Sequence, residues 1–212
     1  MRISHQHRFV LLSKPKTGST SVRKLLDRHS DIKSKAVPPF RHHTTLPELE
    51  QIFRDNGWSL GDYRIYLCER NPWDLVRSVW KYSRINVKHQ QFWDKDYDAD
   101  APRLSFPDFL SADRSWGWLR ARHRLEVYTG PDPSAYDLAV YDIGSQTTQL
   151  LADLSARIGQ PLGELGQHNR SDYSADDVST IRQVYGSADV DARIRNTFTT
   201  SIQRFGYTNP FA

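Results

Sequence analysis

Residues 8–21 read RFVLLSKPKTGSTS, and this stretch decides the class of fold. Residues 8–13 are a brief apolar run, which is typical of a buried strand. The segment that follows is rich in lysine and hydroxyl residues, and Val22, Leu25 and Leu26 then recur at helical spacing. The stretch therefore predicts a strand, a polar loop and a helix, in that order.

The same order recurs further along the chain. Residues 63–69 (YRIYLCE) and 138–143 (LAVYDI) predict two more strands, and a helical pattern follows each of them. The first of these helices should begin at Asn71-Pro72, because asparagine caps helices and proline fits their first turn. Alternating strands and helices indicate an α/β fold with a central, mainly parallel sheet flanked by helices. Since no linker stands out, we expect residues 1–212 to form a single domain.

The composition excludes several classes of protein. Hydrophobic residues make up 38% of the 212, which is enough for a packed core and argues against a disordered chain. No run of about 18 apolar residues occurs, and the apolar run near the N-terminus is too short for a signal-peptide core. The single cysteine, Cys68, excludes a disulfide framework and a multi-cysteine metal site. The net charge of +4 is too small to indicate nucleic-acid binding. We expect a soluble, cytoplasmic protein.

The loop at residues 14–21 has the properties of an anion-binding site. In α/β proteins, free backbone N–H groups and the helix dipole converge where a strand leads into a helix. Gly18 lets a ligand approach the backbone, Lys16 supplies a cation, and the neighbouring hydroxyl groups add donors. The order of residues differs from the GxxxxGK[ST] loop that binds nucleoside triphosphates. The alternative is a capped helix start with incidental lysines.

A second anion site is predicted where the strand at residues 63–69 ends. Arg70 stands at the carboxyl end of that strand, and Ser78 lies on the second turn of the next helix. An arginine fork suits phosphate or sulfate oxygens, and two sites on neighbouring strands suit a ligand with separated phosphates. The alternative is that Arg70 pairs with Asp74 and that Ser78 has no role.

These two segments together resemble a known family. PKTGSTS and ERNPWDLVRSVW are similar to the 5′-phosphosulfate loop and the 3′-phosphate site of the sulfotransferases that use 3′-phosphoadenosine 5′-phosphosulfate (PAPS). The segments HHTTLPELEQIF, DLAVYDIGSQTTQLLADLSARIG and HNRSDY, and the Phe-Gly-Tyr at residues 205–207, resemble the carbohydrate-type branch. The resemblance covers nearly the whole chain and implies a P-loop-like sulfotransferase architecture.

The resemblance implies a PAPS site that needs no metal, because lysine and helix N-termini can carry the charge. Lys16 would neutralise the charge that develops on the leaving phosphate, and Arg70 and Ser78 would hold the 3′-phosphate. The HNRS segment at residues 168–171 resembles a segment near the donor. The residues implied to hold the 5′-phosphosulfate are Lys14, Lys16, Thr17, Gly18, Ser19, Thr20 and Ser21.

In-line attack of a hydroxyl group on sulfur also needs a general base. A histidine suits this role, because its pKa lies near neutrality. His43 is the first candidate and His42 the second, since both lie between the two motifs and His43 begins an HTT sequence that matches the resembling family by position. The alternatives are that His43 is structural, or that Glu69 or Asp142 is the base.

The acceptor is expected to be a hydroxyl group of a carbohydrate or glycoconjugate. Several aromatic residues suggest a sugar-stacking surface, with core packing as the alternative: Trp73, Trp80, Tyr82, Phe92, Trp93, Trp116 and Trp118. Four arginines suggest an acidic acceptor cleft, with a solvated basic face as the alternative: Arg114, Arg120, Arg122 and Arg124. Two other functions stay open, a P-loop small-molecule kinase and a non-catalytic domain that binds an anion or a glycan. The sequence indicates no oligomeric state.

Overall fold

The computed structural model describes residues 1–35, 38–85, 104–166 and 172–211, without the side chains of residues 83–85. The chain divides into two compact units, which are described separately: Met1–Arg70 with Leu125–Asn169, and Asn71–Arg124 with Arg170–Ala212. The assignment of residues 1–212 to one domain stays a prediction.

Strands and helices follow one another in the order that the sequence predicts. The strands predicted at residues 8–13, 63–69 and 138–143 are β2, β4 and β5. In chain order the elements are β1 (Arg2–Ser4), β2 (Phe9–Leu11), α1 (Ser19–Leu25), β3 (Ile32–Lys33), α2 (Leu46–Asp55), β4 (Arg64–Glu69), α3 (Pro72–Ile85), α4 (Phe106–Ser111), α5 (Asp113–His123), α6 (Leu125–Thr129), β5 (Leu138–Asp142), α7 (Thr147–Ile158), α8 (Ala175–Tyr185), α9 (Ala188–Thr197) and α10 (Thr199–Phe205).

The first unit contains a five-stranded sheet in the order β3-β1-β2-β4-β5. β2, β4 and β5 are parallel and hold most of the paired residues, whereas β1 pairs antiparallel with β2 and with β3. The predicted α/β class with a mainly parallel sheet is thereby confirmed. The carboxyl ends of parallel strands share one edge of a sheet, where α/β proteins bind their ligands.

Two helices of the first unit pack on the apolar residues of β2 and β4. Val22 and Leu26, within and just after α1, and Leu150 and Leu154 of α7 have no exposed surface. Burial of a side chain of this size contributes about 1.5–3 kcal/mol to folding. This packing holds the end of β2 and the start of α1 in place, and the connection between them is the predicted anion loop.

The second unit is helical and buries the large aromatic residues of its sequence. Trp73, Trp80 and Trp116 are at most 2% exposed and belong to one apolar cluster. Their indole N–H groups donate to Asp191, Leu104 and Leu110, at 3.0, 3.0 and 2.6 Å respectively. The idea of a sugar-stacking surface is therefore wrong for these three tryptophans, and the alternative of core packing is confirmed. Phe92 and Trp93 lie outside the described residues.

The ends of the helices of the second unit follow local chemistry. Asn71 Oδ1 accepts a hydrogen bond from the backbone N–H of Trp73 at 3.1 Å, which confirms the predicted cap of α3. Residues 188–205 form two helices, α9 and α10, because buried Phe198 leaves the helical conformation (φ −117°, ψ 31°). None of the helices within the described residues is long and apolar enough to cross a membrane.

Candidate functional site

The loop at residues 14–21 folds over its own backbone at the end of β2. The carbonyl oxygen of Lys14 accepts hydrogen bonds from Thr17 Oγ1 at 2.9 Å and from Ser19 Oγ at 3.3 Å. Lys16 and Gly18 both have left-handed backbone conformations, with φ of 65° and 72°. A lysine in this region is strained, and such strain clusters at binding and catalytic sites. The hydroxyl groups of Thr17 and Ser19 thus hold the loop in a tight fold over Lys14, and their predicted contacts with an anion stay a prediction.

Gly18 is required by both its conformation and its surroundings. A Cβ atom at this position would lie 2.9 Å from Cγ1 of Ile143, the residue that follows β5. A left-handed φ adds strain for any residue with a Cβ atom. Gly18 thus allows the loop to pack closely against the carboxyl end of β5.

We expect Gly18→Ala to lower the free energy of unfolding by about 2–4 kcal/mol, because it combines left-handed strain with overpacking. Gly57→Ala is the matched control, since Gly57 has a φ of 69° and nothing within 4 Å of the position of a Cβ atom. The control should lose about 1–2 kcal/mol, from strain alone. Urea unfolding of both variants measures the difference. Equal losses of unfolding free energy in the two variants would show that the Ile143 side chain moves aside without destabilising the protein.

A buried ion pair lies beneath the loop. The Lys14 ammonium contacts Oε1 of Glu69, the last residue of β4, and neither side chain has any exposed surface. The same carboxylate oxygen accepts a hydrogen bond from the backbone N–H of Arg70 at 2.9 Å. Burial lowers the pKa of Lys14, and the charge of Glu69 opposes that shift. Glu69 is therefore occupied by the loop, which argues against it as the base for an acceptor.

Two cations lie close together above this pair. Arg70 Nη1 donates to the carbonyl oxygen of Lys16 at 3.4 Å. Desolvation and then the charge of Arg70 lower the pKa of Lys16 to about 8. Two like charges in a partly buried position repel each other, and an anion bound beside them relieves that repulsion. Asp74, the alternative partner considered for Arg70, forms an ion pair with Arg77.

The two candidate histidines differ in which ring nitrogen is free to act as a base. His43 Nδ1 donates to the carbonyl oxygen of Ser13 at 2.6 Å, so a neutral His43 carries its lone pair on Nε2. His42 Nδ1 instead accepts from Arg23 Nη1 at 3.1 Å and lies 2.9 Å from Ser34 Oγ. The lone pair of His42 is thus already engaged. The contact with Ser13 places His43 directly beside the anion loop.

The electrostatic surroundings favour the neutral form of both histidines. Desolvation lowers the pKa of His43 to about 4, although the hydrogen bond to Ser13 opposes this shift. His43 nevertheless keeps an exposed face towards solvent. The pKa of His42 is also lowered, by desolvation and then by the charge of Arg23. Both shifts favour the neutral imidazole, the form in which a histidine can accept a proton.

The remaining predicted residues have varied surroundings. Thr20 Oγ1 accepts from Arg23 Nη2 at 3.1 Å, and the backbone N–H of Ser21 donates to Gly18 at 3.0 Å. Asp142 is buried and accepts from Ser145 N and Oγ at 2.8 and 2.6 Å, so its carboxylate shapes the turn after β5. Ser78 belongs to the second unit, where it is 3% exposed within α3. Residues 168–171 lie outside the described residues.

Arg23 is a site residue that sequence reasoning missed. Its guanidinium bridges Thr20 of the loop and His42, and its Nε is buried without a hydrogen-bond partner. The available signal was the spacing of three between Thr20 and Arg23, which places both side chains on one face of α1. Within the described residues, no group of three or more His, Cys, Asp and Glu side chains could hold a metal ion.

Comparisons with known proteins do not assign this chain to a family. No protein-family model matches the sequence, and no curated protein matches it. Among solved structures, the chain is similar to the mouse sulfotransferase SULT7A1 in complex with PAP, at 14% identity and a TM-score of 0.37. The match covers 88% of this chain and 69% of that one. A likeness of this extent does not establish the function of this chain.

Proposed function

We propose that this chain is a sulfotransferase that transfers a sulfuryl group from PAPS to a hydroxyl acceptor. The observation that carries the proposal is the close placement of Lys16 and Arg70, two partly buried cations at the carboxyl ends of neighbouring parallel strands. Such a pair favours a ligand with more than one negative group. The resemblance of both sequence motifs to the PAPS family supports the choice of ligand.

The residues of the loop fit the sulfated end of this donor. PAPS supplies an activated sulfuryl group and, after transfer, leaves as 3′-phosphoadenosine 5′-phosphate (PAP). Lys16 would neutralise the charge on the departing phosphate, since a pKa of about 8 leaves it mostly protonated at neutral pH and a bound anion raises that value. Arg70 would hold the 3′-phosphate. Binding of the same phosphate by Ser78 remains a prediction from the sequence.

His43 would accept the proton of the acceptor hydroxyl. The Ser13 carbonyl holds Nδ1–H, which leaves the Nε2 lone pair for the hydroxyl group. A base must be neutral before it acts, and the lowered pKa of His43 meets that requirement. The carbohydrate acceptor rests on the resemblance of the HHTT segment and the later segments to the carbohydrate-type branch. Cytoplasmic localisation stays a prediction.

Ligand-induced stabilisation tests the donor assignment. PAP without a metal, at 100 times its dissociation constant, should stabilise the fold by about 2.7 kcal/mol, which corresponds to a Tm increase of about 5–10 °C. ADP with magnesium should have a much smaller effect at the same concentration. Thermal unfolding followed by fluorescence measures both. Equal or greater stabilisation by ADP with magnesium would favour the kinase instead.

Turnover separates an enzyme from a binding domain. Transfer of ³⁵S from labelled PAPS should be seen with at least one member of a panel of glycans, phenols and lipid alcohols. The rate should persist in a chelator, because Lys16 rather than a metal ion carries the charge of the leaving group. PAP binding without transfer to any acceptor would identify a non-catalytic nucleotide-binding domain.

A further inference from the structure

Glu69 connects the two predicted anion-binding segments. Its Oε1 contacts the Lys14 ammonium at the start of the loop and accepts the backbone N–H of Arg70 at 2.9 Å. Lys14 and Glu69 are 55 positions apart in the sequence and lie on neighbouring strand ends. One carboxylate thus contacts both the loop and Arg70.

The backbone of Lys14 extends this connection into the loop. Its carbonyl oxygen accepts the hydroxyl groups of Thr17 and Ser19, which fold the loop back over Lys14. Arg70 in turn donates to the carbonyl oxygen of Lys16 at 3.4 Å. A shift of the Lys14 side chain would therefore be transmitted to both cations of the site.

Stability alone does not account for this pair. A buried ion pair pays a large desolvation penalty, and apolar residues of similar volume often replace such a pair without loss of stability. Lys14 and Glu69 are both completely buried, so this penalty is at its greatest here. The charges also matter to the site, because an uncompensated Glu69 carboxylate beneath the loop would repel an anionic ligand.

We propose that the Lys14–Glu69 pair is a positioning device that sets the distance between the loop and Arg70 for a ligand with two separated anionic groups. This inference rests on the proposed function. It corrects the expectation that the Lys14 ammonium binds the donor directly, since that ammonium is buried against Glu69. Lys14 acts through the loop, and Lys16 and Arg70 touch the ligand.

Paired substitutions test the proposal without leaving a buried charge. Lys14→Met with Glu69→Leu removes both charges and the acceptor for Arg70 N–H. Lys14→Met with Glu69→Gln removes the charges but keeps an oxygen that can accept from Arg70. The control is Arg64→Met with Asp153→Asn, an ion pair at the opposite end of β4 with an N–O distance of 2.7 Å. Tyr66 Oη donates to Asp153 Oδ1 at 3.0 Å, and the amide oxygen of an asparagine can accept the same hydrogen bond.

Two readouts are required. Calorimetric titration with PAP, well below the Tm, should show a dissociation constant raised about 10- to 100-fold in the leucine variant, by analogy with the loss seen when residues that orient metal ligands are removed. The glutamine variant should lose less, and the control should change less than about twofold. Amide hydrogen exchange without ligand should become faster at residues 16–21 and at Arg70 in the leucine variant, and by a smaller factor in the glutamine variant.

The outcomes separate this inference from the proposed function. Unchanged PAP affinity and unchanged exchange in the leucine variant would overturn the positioning role and leave the proposed function intact. A wild-type protein that does not bind PAP would overturn the proposed function, while the exchange measurement would still decide whether the pair holds the loop and Arg70. If the leucine variant does not fold, the glutamine variant decides by the same two readouts.

Discussion

Replacement of His43 by alanine is expected to lower kcat by about 10²- to 10⁴-fold, the usual contribution of a general base, with donor affinity nearly constant. The reason is the tautomer that the structure imposes. Ser13 accepts Nδ1–H at 2.6 Å, so Nε2 carries the lone pair beside the anion loop. Single-turnover transfer of ³⁵S measures the chemical step, and PAP titration measures donor binding.

His42→Ala is the control for this prediction. His42 Nδ1 accepts from Arg23 at 3.1 Å, so its lone pair supports α1 and is not available to a substrate. We therefore expect a loss of kcat at least ten times smaller than in His43→Ala. The reverse order of effects would move the role of base to His42. Full kcat in both variants would exclude both histidines as the general base and would indicate an acidic residue in that role.

The pH profile gives the same prediction a second readout. The acid limb of kcat/KM, which reports the free enzyme, should lie below the ordinary histidine value of 6.5, because desolvation lowers the pKa of His43 towards 4. Since the residue keeps an exposed face, we expect the limb between these two values. The rate falls as pH decreases through this limb, because protonation removes the Nε2 lone pair. An acid limb that persists unchanged in His43→Ala would belong to another group.

The sequence patterns were sufficient where local chemistry decides structure. The strand, loop and helix at residues 9–25 and the start of α3 at Pro72 follow from apolar runs, a glycine and a capping asparagine. β1 and β3 were not predicted, because they have three and two residues and are too short for a period to show. The formation of β1 and β3 depends on the strands next to them in the sheet and not on their own composition.

The candidate site was predictable in its components but not in its internal contacts. Lys16, Gly18 and Arg70 follow from their places at strand ends, whereas the partner of Lys14 does not. An ion pair between residues 55 positions apart leaves no local pattern, so Lys14 could not be distinguished from a ligand-binding lysine. The burial of Trp73 could not be predicted for a similar reason. An aromatic residue in a helix has the same sequence pattern whether it packs in the core or stacks on a sugar.

Arg70→Ala should weaken the binding of PAP by about 2–4 kcal/mol, the range for removing one partner of a buried charge-assisted pair. The loss should be specific to one phosphate. Wild type is expected to prefer PAP strongly over AMP, which lacks the 3′-phosphate, and the variant should bind the two nearly alike. Calorimetric titration with both nucleotides measures this preference.

Arg70→Lys and Arg54→Ala complete the comparison of Arg70 with a simple positive charge. Lysine keeps the charge but lacks the planar fork, so it should restore only part of the preference for PAP. Arg54 lies on α2 with a side chain that is 66% exposed, and its loss should leave both affinities unchanged. The pKa of Lys16 should also rise in Arg70→Ala, because a neighbouring cation that lowers it is gone. An equal loss of affinity for PAP and AMP would show that Arg70 supports the loop through the Lys16 carbonyl and does not read the 3′-phosphate.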